Sequence, residues 1–189
     1  MTGLVSDLIF LANSDAGSLP LQVDLVEIAP FLTELSDRAG TLARERGVTL
    51  RTALQARGLA EIDSARIEQA IMILVDNAGK YSPAESVVTL RSAIQGDEIV
   101  VEVQDRGMGV PPAELPHIFE RFYRVDKARS RRQGGSGLGL AIAKSIVEAH
   151  GGRISAESVL GRGTTMRITL PRVRVVPSAV ERRAQPAHS

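Results

Sequence analysis

Three short groups of residues carry most of the chemistry in this chain. They are Asn77 with Lys80 and Tyr81, the run Asp105-Arg-Gly-Met-Gly109, and Gly135-Ser-Gly-Leu-Gly-Leu140. Asp105 closes an apolar strand pattern. An ionised carboxylate only accepts hydrogen bonds, which suits it to the exocyclic amine of adenine. Gly107 and Gly109 behind it let backbone approach a base and let the chain turn away. The run from Gly135 to Gly139 opens a helix, where unpaired N–H groups and the positive end of the dipole favour phosphate. It is not a dinucleotide fingerprint, because Leu140 stands where the third glycine belongs. Nor is it a Walker A loop, because no Lys-Ser/Thr follows. Asn77 and Lys80 lie three apart on a helix, away from its Leu74/Ala78 core face. An amide oxygen is a hard ligand for Mg²⁺, and a lysine meets phosphate as a point charge.

Each group alone also fits an ordinary role: an Asp-x-Gly-x-Gly turn, a Gly/Ser linker, or a helix C-terminus with its lysine near the negative dipole end. In this order, with an apolar helix before the first and a strand before the second, they describe a pocket for ATP and Mg²⁺.

The elements that must position these residues follow from periodicity. Leu4, Val5, Leu8, Ile9, Leu11 and Ala12 share one face of a short amphipathic helix, and a polar linker runs from Asn13 to Pro20. A second helix is expected from Asp24, an N-cap with Glu27 three residues on, its apolar face being Leu25, Ile28, Leu32, Leu35, Ala39 and Leu42. Pro30 inside it predicts a kink or a restart, and Gly47 ends it. Val48 to Leu54 and Gly58 to Ile62 read as a hairpin. Asp63-Ser64 caps a strong helix that buries Ile67, Ala70, Ile71, Leu74, Val75 and Ala78. Val87 to Ile94 and Ile99 to Gln104 form a hairpin through Gln95-Gly-Asp97.

Residues 106 to 136 form a long irregular stretch with a short helix at Leu115 to Phe122 and a basic run from Lys127 to Arg132; loops this long are usually functional. Leu138 to Ala149 is a helix closed by Gly151-Gly152. Two strands follow, Arg153 to Glu157 and Thr164 to Leu170. Separate runs of helices and hairpins predict an α+β two-layer sandwich.

Composition narrows the function. Of 189 residues, 43% are hydrophobic and 24% charged, which is globular. Aromatics are 3%, so the core must be aliphatic. Cys is absent, which excludes disulfides and thiolate metal sites. A net charge of +1 gives no footprint for nucleic acid. Ile71-Met-Ile-Leu-Val75 is far too short to span a bilayer, and polar residues interrupt the N-terminal apolar stretch, so a soluble, cytoplasmic chain is expected.

Taken in sequence, these segments resemble the ATP-binding catalytic domain of two-component sensor histidine kinases, of the Bergerat (GHKL) ATPase superfamily. The likeness runs from about Val23 to Pro171. Asp76-Asn-Ala-Gly-Lys-Tyr-Ser82 matches the N box, and Asp105 to Gly109 the first glycine box. Phe119-Glu-Arg-Phe-Tyr-Arg-Val-Asp126 matches the F box, Gly135 to Leu140 the second glycine box, and Gly163-Thr164 the last. The resemblance implies a mixed sheet of about five strands backed by about three helices, with ATP-Mg²⁺ beneath a mobile lid. It further implies that Asn77 binds Mg²⁺, that Lys80 and Tyr81 contact phosphate and sugar, and that Asp105 pairs with adenine. Tyr123 and Arg124 then line the lid side, Leu138 and Leu140 flank the nucleotide, and Thr164 supports Asp105 through water. One position departs from the pattern. Ile73 stands four residues before Asn77, where the family has Asn and related ATPases Glu, and isoleucine cannot hold a metal or orient water.

The resemblance also implies a phosphoaccepting histidine on a dimerising helix, and His117, His150 and His188 do not fit that role. Residues 1–19 read as the end of such a helix plus a linker, 20–171 as the catalytic domain, and 172–189 as a disordered tail. The expected partners are a His-bearing dimerisation domain, as the rest of a larger sensor or as a separate protein, and a response regulator. The alternatives are a nucleotide-binding pseudokinase or regulatory module, and a related Bergerat-fold ATPase.

Overall fold

A computed structural model describes residues 8–12, 20–125 and 136–173. Among the described residues seven strands and three long helices follow one another: β1 (Asp24–Glu27), α1 (Ile28–Glu45), β2 (Thr49–Leu54), β3 (Leu59–Ile62), α2 (Ser64–Tyr81), β4 (Val87–Gln95), β5 (Glu98–Gln104), α3 (Gly139–Ala149), β6 (Arg153–Val159) and β7 (Gly163–Pro171). Residues 8–12 are helical. Five strands make one mixed sheet in the order β2-β4-β5-β7-β6, in which only the β2–β4 pairing is parallel. β1 and β3 form a separate two-stranded sheet. This is the α+β two-layer sandwich expected from the sequence.

Alternation along the strands fixes which face meets the helices. Leu90, Val101, Val103, Ile168 and Leu170 are buried against the helical layer. The opposite face carries ion pairs, Arg167 to Glu102 at 2.7 Å and Arg153 to Glu98 at 2.9 Å. Ile67, Ala70, Ile71, Leu74, Val75 and Ala78 of α2 are all buried, as the 3.6-residue period requires. Asp63 caps that helix, accepting the Arg66 N–H on Oδ1 at 3.1 Å. Removing the cap costs about 1 kcal/mol in comparable helices.

Four local expectations are corrected. Asp24 is not a helix cap, because 24–27 is a strand paired with β3 and α1 begins at Ile28 behind Glu27. Leu25 is 58% exposed while Val26 packs on the core, a two-residue alternation that the helical reading absorbed by coincidence. Pro30 neither kinks nor restarts the helix. It sits in the first turn, where its missing N–H would have had no partner. The segments 48–54 and 58–62 are not a hairpin: β2 runs parallel to β4, and β3 crosses to β1. The helix at Leu115 to Phe122 shrinks to a 3₁₀ turn, Leu115–His117, and Phe122 adopts φ +62°, which no helix can continue.

Candidate nucleotide-binding site

The sheet's β5 and the C-terminal half of α2 enclose a cleft that the 3₁₀ segment and α3 complete. Asn77 and Tyr81 reach it from α2 one turn apart, Asp105 and Gly109 from the end of β5, and Thr164 from β7. Tyr123 and Arg124 close one side, and Leu140 faces in from the first turn of α3. Leu74, Ala78, Ile118 and Met166 give it an apolar floor. An apolar slot with a few polar groups is what a flat heteroaromatic base requires.

Asp105 is a buried charged group at this floor, 8% exposed. Its Oδ1 accepts the N–H of Gly107 at 2.7 Å and that of Thr164 at 3.2 Å. Among the described residues both partners of the carboxylate bind one oxygen, leaving Oδ2 for a ligand donor. Burial pushes the carboxyl above the ordinary carboxylate range, and the two N–H donors partly offset that. Thr164 therefore supports Asp105 directly through its own backbone. Its hydroxyl meets the Ser158 hydroxyl at 2.9 Å, and the Ser158 oxygen accepts the Val110 N–H.

The glycines around Asp105 are required by neighbouring main chain. A Cβ on Gly107 would lie 2.3 Å from the Tyr81 carbonyl oxygen, because β5 leaves the sheet across the end of α2. Gly163, at φ +114°, would place a Cβ 2.2 Å from the Asp105 carbonyl oxygen. These close approaches lock Asp105 between α2 and β7. They were legible in the sequence as glycines, but not as protein contacts.

Not every expected residue reaches the cleft. Lys80 does not line it; its Nζ donates to Asp76 Oδ2. Leu138 is completely buried in the core behind the cleft wall. Gly107, Gly137 and Gly139 shape the walls without lining the cleft, and Gly135 lies outside the described residues, as do the basic run 127–132 and His188. Gly137 is bound to the F-box end, its carbonyl accepting the Phe122 N–H at 2.9 Å. Ile73 packs toward the first turn of α3, so close that a Cβ on Gly139 would be 3.3 Å from its Cγ2. Sequence reasoning missed Glu114, which accepts the Tyr123 hydroxyl. That carboxylate holds the phenol above its ordinary range.

The two described histidines are both occupied. His150 is buried, with Nδ1 donating to the Ile146 carbonyl at 2.7 Å and Nε2 accepting the Asp63 N–H at 3.0 Å. Because a backbone N–H can only donate, the ring is the neutral Nδ1–H tautomer. His117 Nδ1 pairs with Glu120 Oε1 at 2.7 Å on the surface.

The donor set fits a nucleotide-borne Mg²⁺. Among the described residues no cluster of His, Cys, Asp and Glu could cage a metal. Asn77 lines the cleft with no protein hydrogen bond to its amide among those residues. Magnesium commonly takes one or two protein oxygens and completes its shell with phosphate and water.

With this geometry, residues 62–174 match the model of the histidine kinase-, DNA gyrase B- and HSP90-like ATPase family, and the chain belongs to that family. It is 41% identical over 174 residues to the sensor histidine kinase WalK of Bacillus subtilis (strain 168), an alignment covering 90% of this chain and 28% of that protein. The chain thus spans little more than a quarter of that relative. Among solved structures, full-length ShkA in complex with AMPPNP superposes with a TM-score of 0.77 at 29% identity, over 91% of this chain and 36% of that one. The mycobacterial sensor histidine kinase MprB gives 0.67 at 30% identity, over 79% of this chain and 97% of that one. No helix among the described residues is long and apolar enough to cross a membrane.

Proposed function

We infer that this chain is the ATP-binding catalytic domain of a two-component sensor histidine kinase, with residues 20–171 as the functional unit, acting in the cytoplasm. Residues 1–19 then read as the end of a dimerising helix with its linker. The observation that carries this reading is Asp105, buried at the floor of a cleft with Oδ1 tied to the protein and Oδ2 open. Similarity to sensor kinases supports the identity of the acceptor.

In this reading Asp105 accepts a hydrogen bond from the adenine amine, and the apolar floor excludes water from the base. Tyr81, Tyr123 and Arg124 border the sugar and phosphates, and the α3 N-terminus meets the phosphate tail with its unpaired N–H groups. Asn77 would hold Mg²⁺, which neutralises phosphate charge when bound. A neutral imidazole of the partner domain attacks the γ-phosphorus. An N–P bond forms as the bond to the bridging oxygen breaks, and ADP leaves with the electron pair. A neutral imidazole nitrogen carries its own lone pair and needs no general base.

The test is labelled ATP and Mg²⁺ with and without a separate dimerisation domain bearing its acceptor histidine. Acid-labile label on the added domain supports the kinase reading. Nucleotide bound with no transfer to any such domain identifies a pseudokinase. Label on this chain alone would contradict the assignment of its histidines to structural roles.

A further inference from the structure

Asp76 immediately precedes Asn77 and serves two cations. Its Oδ1 accepts from Arg46, with Nε and Nη2 each at 2.6 Å, and its Oδ2 accepts from Lys80 one turn along α2. Arg46 sits just beyond α1 and upstream of the residues matched by the family model. Its approach is built in: a Cβ on Gly79 would lie 2.7 Å from the Arg46 Cβ, so only glycine admits the arginine stem there. At about 100° per residue, Lys80 lies between Asp76 and Asn77 around α2, roughly 40° from one and 60° from the other. A side-chain rotation about its own stem therefore separates the Asp76 carboxylate from the cleft.

We propose that Arg46 is a positioning residue for the triphosphate, acting through Asp76 to set how readily Lys80 leaves the carboxylate for phosphate. This rests on the proposed nucleotide site. Two cations on one carboxylate share a single negative charge. With Arg46 on Oδ1, the hold on Lys80 is weakened, and an incoming phosphate tail, with several negative charges, draws the ammonium away. Without Arg46 the whole carboxylate charge faces Lys80, and the lysine stays on Asp76. All three side chains are partly exposed, so screening keeps the effect modest.

The experiment is calorimetric titration of ATP-Mg²⁺ and of adenosine, which shares the base and sugar but lacks phosphate. Arg46→Gln should weaken ATP about two- to fivefold and leave adenosine unchanged. Arg46→Lys should restore the wild-type ratio, and in a Lys80→Gln background Arg46→Gln should have no effect. Asp76→Asn, a second variant that does not depend on Arg46 folding correctly, should tighten ATP by a similar factor. Equal losses for ATP and adenosine in Arg46→Gln, a loss that persists without Lys80, or weaker ATP binding in Asp76→Asn would each overturn the proposal. If the wild-type protein binds neither ligand, the nucleotide site itself is wrong and this inference falls with it.

Discussion

Asp105→Asn separates binding from stability in opposite directions. The side chain keeps its size, and its amide oxygen can still accept the Gly107 and Thr164 N–H groups. What changes is the group offered to the ligand: an NH₂ donor replaces the free carboxylate oxygen and, in the proposed site, would meet the donor amine of adenine. A hydrogen bond to a charged acceptor contributes about 1.5–3 kcal/mol, so ATP affinity should fall roughly ten- to a hundredfold. Discrimination against inosine triphosphate, which carries a carbonyl in place of the amine, should shrink or reverse.

Stability of the nucleotide-free protein should move the other way. Burial raises the folded-state carboxyl above its unfolded value. The folded protein thus holds that proton to higher pH than the unfolded chain does. Asp105's contribution is fully present below the unfolded carboxylate value, about 3.9, and is lost as pH rises through the folded value. An asparagine has no such dependence. Relative to wild type, Asp105→Asn should gain thermal stability between about pH 4 and neutrality. Calorimetric titration with ATP-Mg²⁺ and nucleotide-free melts across that range measure both effects. Undiminished ATP affinity, or a stability loss that grows toward neutral pH, would refute the assignment of Asp105 as a buried carboxylate that reads adenine.

Three other outcomes follow from the geometry. Gly107→Ala would drive a Cβ to 2.3 Å from the Tyr81 oxygen; urea unfolding should show a loss of roughly 2–4 kcal/mol, with weaker ATP binding in the material that folds. His150→Ala orphans the Asp63 N–H and the Ile146 carbonyl and should cost about 2–4 kcal/mol in the same assay, while ATP affinity of the folded protein is unchanged because His150 does not line the cleft. Spectrophotometric titration should find Tyr123 ionising above the ordinary tyrosine range. The chain has two tyrosines, so a Tyr81→Phe background isolates it, and Glu114→Gln should bring the transition down.

What the sequence made legible was local. The α2 period, the Asp63 cap and the β4–β5 turn at Gly96 each involve residues within a few positions of one another, and each stands where periodicity put it. Failures occurred where a long-range partner decides. Nothing in Thr49 to Leu54 says that its neighbour will be β4 and parallel, since adjacency in sequence favours the hairpin with β3. Similarly, Asp24 to Glu27 becomes a strand only because β3 is there to pair with it. The sequence suggests a phosphate role for Lys80 but gives no sign of its pairing with Asp76, nor of the Arg46 that shares that carboxylate from 30 residues away.

The glycines bear on which reading of the family this chain satisfies. Gly107, Gly137 and Gly163 are each pressed against the protein's own backbone, near Tyr81, Phe122 and Asp105 respectively. Their absence would damage the fold before any ligand arrived. A glycine-box pattern is therefore a demand of folding and of the cleft floor, one that a domain which binds nucleotide without transferring phosphate would share. On the proposed reading, the residues that would separate transfer from binding sit on α2: Asn77, Lys80 with its Asp76 partner, and Ile73, whose apolar side chain packs toward Gly139 where the family resemblance calls for an amide. The kinase and pseudokinase readings thus diverge along one helix face. Substitutions there should change transfer far more than they change adenine affinity, whereas substitutions at the glycines should change both along with stability.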